Sequence, residues 1–137
     1  MSDEFLDQAG RSQLHYAALE GDEIEARQLI REGFDINLKD DNGFTPLHFA
    51  AQERKTAIAL ILLDAGAQID PLDKNGNTPL INAVFRYINQ NDGEIIVFLR
   101  KRGANPYLKN DYGQSPIELA RMIANRDVSK FFIDLPD

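Results

Sequence analysis

Four segments of this chain repeat one another, and that periodicity constrains the fold more than any other feature. Gly10, Gly43, Gly76 and Gly113 are each followed by a similar octet: RSQLHYAA, FTPLHFAA, NTPLINAV and QSPIELAR. These glycines lie 33, 33 and 37 residues apart, and a second glycine stands ten residues ahead of each later one, at Gly33, Gly66 and Gly103. The four extra residues of the third interval fall near YINQND, residues 87–92. A chain assembled from copies of one small unit must bury its apolar surface by stacking the copies, because no single unit can cover its own apolar face.

Within each copy the residues mark helix boundaries. Ser12, Thr45, Thr78 and Ser115 suit a helix start, where a hydroxyl accepts a backbone N–H, and the proline that follows in three copies loses nothing there. Leu14, Leu47, Leu80 and Ile117 then point inward, with Ala17, Ala50, Ala83 and Ala120 three residues on, small enough for neighbouring helices to approach closely. A second, bulkier helix follows in each unit, through ARQLI, AIALILL, IIVFL and SKFFI. Gly33, Gly66 and Gly103 are expected to end the first three of these in the left-handed conformation.

This pattern resembles the ankyrin repeat family, with a unit of about 33 residues and a T-P-L-H-x-A signature. Thr45-Pro46-Leu47-His48-Phe49-Ala50 fits it in every place; Thr78-Pro79-Leu80, Ser115-Pro116-Ile117 and Ser12-Gln13-Leu14-His15 fit in part. The resemblance covers roughly residues 10–133. It implies an all-α ankyrin-repeat solenoid of four stacked helix-turn-helix units with short hairpin-like connecting loops. The units span about 10–42, 43–75, 76–112 and 113–135 of one domain, 1–137, with no linker. The outer two read as caps: polar SDEFLDQ precedes the first, and the last carries Glu118 and Arg121. The resemblance also implies that His15 and His48 bond to backbone and position the turns.

Composition narrows the function. At 137 residues and 43% hydrophobic, the chain can bury a working core. No run approaches the roughly 18 consecutive apolar residues of a membrane span. The opening MSDEFLDQAG lacks the basic and apolar regions of a secretory signal, and there is no cysteine for a disulfide framework or thiolate metal site. These features fit a cytosolic protein. The 15 Lys and Arg against 22 Asp and Glu leave a net charge of −7 with no basic cluster, which argues against nucleic-acid binding. The charge either steers a basic protein partner or simply keeps a small domain in solution, and both readings stand.

No catalytic constellation emerges. His15 and His48 lack a third ligand, since the equivalent places hold Ile81 and Glu118. The glycines stand singly and form no phosphate loop. Asp40-Asp41 and Asp22-Glu23 are expected on exposed turns, where nothing raises a carboxyl pKa for acid–base work. The serines serve as caps or lie in the tail. The chain is therefore expected to be no enzyme and to hold no cofactor or metal.

Large side chains do collect where the core does not require them. An ankyrin-like stack has a concave face made of turn tips and one side of each first helix. Mapped on this sequence, the tips include Asp41, Asn42 and Phe44, then Leu72, Lys74 and Asn77, then Asp111 and Tyr112. The helix positions are Leu19 and Glu20, Gln52 and Glu53, Phe85 and Arg86, with Met122 and Ile123 at the end. Leu19, Phe44, Leu72, Phe85, Tyr112 and Tyr87 read as a contact patch; the competing reading tucks some of them against the next turn. Arg86 with a rim of Asp41, Glu20, Gln52 and Glu53 completes the composition of a protein-binding hot spot. The insertion near residues 87–92 either reshapes that face or is a tolerated loop.

The resemblance extends to small stand-alone bacterial ankyrin proteins, many of which are immunity proteins that bind a polymorphic toxin and cover its active site. It implies a monomer when free that neutralises a cognate toxin, a basic one by charge, away from nucleic acid and membrane. The alternative reading is a cytosolic adaptor or regulatory scaffold that docks a resident cellular protein.

Overall fold

A hydroxyl side chain starts the first helix of every repeat. In a computed structural model, which describes residues 6–87, 92–123 and 127–136, these residues have extended backbone and accept a backbone N–H from two or three residues ahead. Ser12 Oγ takes that of Leu14 at 3.2 Å, Thr45 Oγ1 that of His48 at 3.4 Å, Thr78 Oγ1 that of Ile81 at 3.2 Å and Ser115 Oγ that of Glu118 at 3.2 Å. The first helices are α1 (Gln13–Glu20), α3 (Pro46–Gln52), α5 (Pro79–Phe85) and α7 (Pro116–Met122). The second helices are α2 (Glu23–Arg31), α4 (Thr56–Asp64) and α6 (Gly93–Lys101). Gly33, Gly66 and Gly103, just beyond them, have φ of +91°, +100° and +97°, the left-handed stop expected of them.

The helices form two layers. In the inner layer α1 packs on α3, α3 on α5 and α5 on α7; in the outer layer α2 packs on α4 and α4 on α6. No strand occurs among the described residues. Leu14, Leu47, Leu80, Ile117 and their companion alanines Ala17, Ala50, Ala83 and Ala120 are all at most 3% exposed. Ile58, Leu62, Ile95, Ile96 and Leu99 fill the space between layers. Each such buried Leu or Ile contributes about 2 kcal/mol relative to exposure.

Tips join the units at the edge of the inner layer. Within each, one side-chain oxygen accepts two backbone N–H groups: Asp7 from Ala9 and Arg11, Asp40 from Asn42 and Phe44, Asp73 from Asn75 and Asn77, Asn110 from Tyr112 and Gln114. Successive tips then bond through their backbones, Asp41 N to Ala9 O at 2.8 Å, Lys74 N to Asn42 O at 3.0 Å and Asp111 N to Asn75 O at 2.9 Å. Gly43 shows why the tip needs glycine. Its φ is +81°, and a Cβ there would stand 2.7 Å from the amide nitrogen of Lys74 in the next tip.

The fourth repeat departs from expectation. The SKFFI segment lies partly in a short 3-10 helix, Val128–Phe132, and not in an α-helix. That turn packs on α6 and α7, with Val128 and Phe132 buried. Arg100 holds it by donating to the Phe131 carbonyl at 2.7 Å and by a two-pronged pair with Asp134 at 2.8 and 3.0 Å.

Two further expectations are corrected. Tyr87, placed on the surface patch, is 0% exposed. Its ring meets Phe131 edge-on and its hydroxyl donates to Asp127 at 2.6 Å, so it belongs to the packing of the terminal turn. Burial, helped by the Asp127 carboxylate, pushes its pKa up to about 12. Asp40, expected on an exposed turn, is 6% exposed; it is the tip acceptor just described and also pairs with Arg11 at 3.0 Å. The insertion leaves α5 at seven residues, like α3. The extra length lies between α5 and α6, and residues 88–91 of it are outside the described residues.

Gly43→Ala is expected to destabilise the chain by about 2 kcal/mol or more, since the residue must hold a left-handed conformation and the neighbouring backbone must move. Urea denaturation followed by circular dichroism measures this. A change below about 0.5 kcal/mol, the scatter of an ordinary surface substitution, would show that the tips do not constrain one another.

Candidate functional site

The inner helices and the tips meet at two histidines. His15 Nδ1 accepts the Ser12 N–H at 3.1 Å and His48 Nδ1 the Thr45 N–H at 3.1 Å, which leaves the proton on Nε2 in each ring. From there His15 donates to the Phe44 carbonyl and His48 to the Asn77 carbonyl, both at 2.8 Å. Each ring therefore caps its own helix and ties it to the following tip. Burial lowers the pKa of both, that of His48 to about 4. At the third junction, where Ile81 replaces histidine, Asn110 Nδ2 donates instead to Asn77 Oδ1 at 2.8 Å. Among the described residues no three His, Asp or Glu side chains are grouped to hold a metal ion.

Phe44 belongs to the first junction. It is half-buried, its ring 5.6 Å from that of His48 and 5.5 Å from that of Phe49. The Arg11 guanidinium lies 4.9 Å from the Phe49 ring and joins the same cluster. The expectation that Phe44 is surplus to the interior is thus corrected: its ring packs on His48 and Phe49 of its own repeat, and repeat one reaches that cluster through Arg11 and through His15, whose ring lies 5.8 Å from that of Phe49. Leu19 is likewise half-buried against the core. Arg11 was not a sequence candidate, although its place directly after Gly10 matches that of Phe44 after Gly43. The tip acceptors were also missed, and there the signal was an Asp or Asn three residues ahead of every tip glycine.

Of the large candidate side chains, those that meet solvent run from the tip ahead of α5 to the end of α7; elsewhere Ile24 and Leu60 are exposed as well. Phe85 is 63% exposed, Tyr112 72%, Met122 62% and Leu72 41%. Equivalent positions across the four first helices read Leu19, Gln52, Phe85 and Met122, followed by Glu20, Glu53, Arg86 and Ile123. The second row has cross-repeat contact, since Arg86 lies 3.8 Å from Glu53. At the tip edge Lys109 pairs with Glu118 at 3.7 Å, and Gln114 Nε2 reaches Met122 Sδ at 3.8 Å. Those contacts place tip four and the end of α7 on one side. Lys74 and Asp111 are exposed, and Asn42 and Asn77 are partly so. The Asp41 and Asp111 carboxylates lean over Gly10 and Gly76 of the preceding tips.

Charge is distributed unevenly along this stack. Residues 1–41 contain 11 Asp and Glu against four Lys and Arg, whereas residues 42–137 contain 11 of each, so the whole net charge of −7 arises in the first part of the chain.

A family model for ankyrin repeats, in three copies, matches residues 14–110, well over half of the chain. The fourth unit lies beyond the matched span. No curated protein matches the chain. Among the described residues no helix is long and apolar enough to cross a membrane.

The depressed histidine pKa makes stability depend on pH. Between about pH 4 and the ordinary histidine value of about 6.5, the unfolded chain binds a proton that folded His48 refuses, so stability rises with pH across that window. Relative to pH 7, about 3 kcal/mol is expected to be lost by pH 4 through His48, with a smaller loss of the same sign from His15. Urea titrations from pH 7.5 to 4 on wild type and His48→Gln test this. The variant is expected to be less stable at neutral pH and flatter across the window; an equally steep profile would move the effect to other groups.

Proposed function

The chain belongs to the ankyrin-repeat family, whose repeats are protein-interaction modules, and on that premise we propose that its inner face captures and neutralises a protein toxin. The observation that carries the reading is the exposure of four large apolar side chains, Leu72, Phe85, Tyr112 and Met122, between the tip ahead of α5 and the end of α7. Several large exposed hydrophobes on one face exceed what a scattered surface requires. Aromatic and methionine anchors beside an arginine, here Arg86, have the composition of interface centres. A preformed face binds with little ordering cost, which suits stoichiometric inhibition over roughly 800 Å² per partner.

The role asked of each residue follows from its surroundings. Phe85, Tyr112, Met122 and Leu72 supply apolar contact. Arg86, Glu53, Gln52, Glu20, Lys74 and Asp111 form the polar rim, with Asp41, Asn42 and Asn77 at its tip edge. Phe44 and Leu19 support the face from beneath, and Tyr87 lies in the interior.

Affinity capture with the purified chain from its source cells, followed by growth assays of the captured protein expressed alone and with this chain, tests the proposal. The captured protein is expected to arrest growth alone and to be silenced on co-expression; a harmless partner would make the chain an adaptor. Phe85→Ser with Tyr112→Ser is expected to leave folding intact and to weaken capture by about 100-fold or more, as for two hot-spot side chains. Unchanged affinity in that folded variant would remove the inner face from the interface.

A further inference from the structure

We infer that the docking surface is bipolar and fits a partner with an apolar knob beside a lysine- or arginine-rich strip, the knob on the inner face of repeats three and four and the strip at the α1–α2 turn that edges it in repeat one. This deepens the proposed function and rests on the inner face being the docking surface. Two independent observations carry it. The exposed apolar side chains of the inner row begin only at Phe85, because the equivalent Leu19 is half-buried against the core and Gln52 is polar. The net negative charge, in contrast, resides wholly in residues 1–41.

The acidic groups stand at the α1–α2 turn, at the edge of the row that holds Phe85, with the Lys55 side chain against Gly21 among them. Glu20 occupies the same row as Glu53 and Arg86, at the end of α1. Asp22, Glu23 and Glu25 follow directly on the turn into α2, around Ile24, which is 80% exposed. Further along the row Glu53 pairs with Arg86, and the fourth place holds the uncharged Ile123. Glu20 and Glu23 remain fully on the surface. Neighbouring helices lie about 8–10 Å apart, so the acidic end stands roughly 20 Å from Phe85 along the stack. Fields over that distance are strongly screened by salt, so the acidic pole acts on association and on orientation, while the apolar end sets residence.

Binding of a synthetic peptide tests this on the full chain. The peptide has about fourteen residues, Phe and Leu at one end and Lys at the other, long enough to bridge the span. Three variants, each checked for folding by circular dichroism, are compared with wild type between about 50 and 300 mM salt. Glu20→Gln with Glu23→Gln and Glu25→Gln is expected to weaken binding about tenfold at low salt and to flatten its salt dependence. Asp64→Asn with Glu94→Gln and Asp134→Asn removes the same number of charges from the balanced part of the chain and is expected to change binding less than about threefold. Phe85→Ser with Tyr112→Ser is expected to weaken binding at every salt concentration without altering the slope. Equal effects of the two charge variants would overturn the bipolar face while leaving the docking surface in place. A salt-dependent response with no effect of the Phe85 and Tyr112 pair would instead overturn the docking surface itself.

Discussion

The close approach of neighbouring first helices is the contact on which everything else depends. Ala17, Ala50, Ala83 and Ala120 are buried in a row, and with no side chain beyond Cβ they let each helix settle against the next. Leu14, Leu47, Leu80 and Ile117 then fill the seam beside them. Because no unit can cover its own apolar face, this register makes folding a property of the stack and not of any repeat. Tips and histidines follow from it. Only when adjacent helices are this near do the tip backbones pass within hydrogen-bond reach, and only then does a histidine ring span from its own helix cap to the following tip.

The junctions are not equal, and their differences sort the candidate surface. Between repeats one and two the histidine bond is reinforced by the Arg11–Asp40 pair and by the Phe49 ring, which meets His15 edge-on and lies 4.9 Å from the Arg11 guanidinium. Apolar mass there is spent on internal cohesion. Between repeats three and four isoleucine stands in place of histidine, a side-chain amide pair supplies the tie, and Phe85, Tyr112 and Met122 remain in solvent. The inner face is therefore sealed at one end and greasy at the other. The chain's excess negative charge lies toward the sealed end, in residues 1–41.

The terminal unit shows the solenoid rule being bent. Its second helix is reduced to a 3-10 turn, and the lost packing is replaced by Tyr87, brought from the start of the long connection in repeat three, and by Arg100 from α6. Gly93 at the start of α6 makes room for this arrangement, since a Cβ there would fall 2.0 Å from the Phe131 ring. A residue beside an insertion thus serves the interior of the next repeat.

Most of the architecture was legible in the linear order of residues. Period, helix starts, glycine stops and the inward leucine–alanine pairs are local rules, set by backbone conformation and capping, and they act without reference to distant contacts. The family follows from the same pattern. Exposure was decided only by tertiary structure. Phe44 and Tyr112 both border a tip glycine, yet one ring finds His48 and Phe49 within reach and the other meets water; Tyr87 looked like a neighbour of Phe85 and is buried against Phe131 instead. Which large side chains are left for a partner depends on what packing places opposite them: Phe44 finds rings on the helix that follows it and Tyr87 one on the terminal turn, contacts made by the folded arrangement and not by any spacing in the sequence.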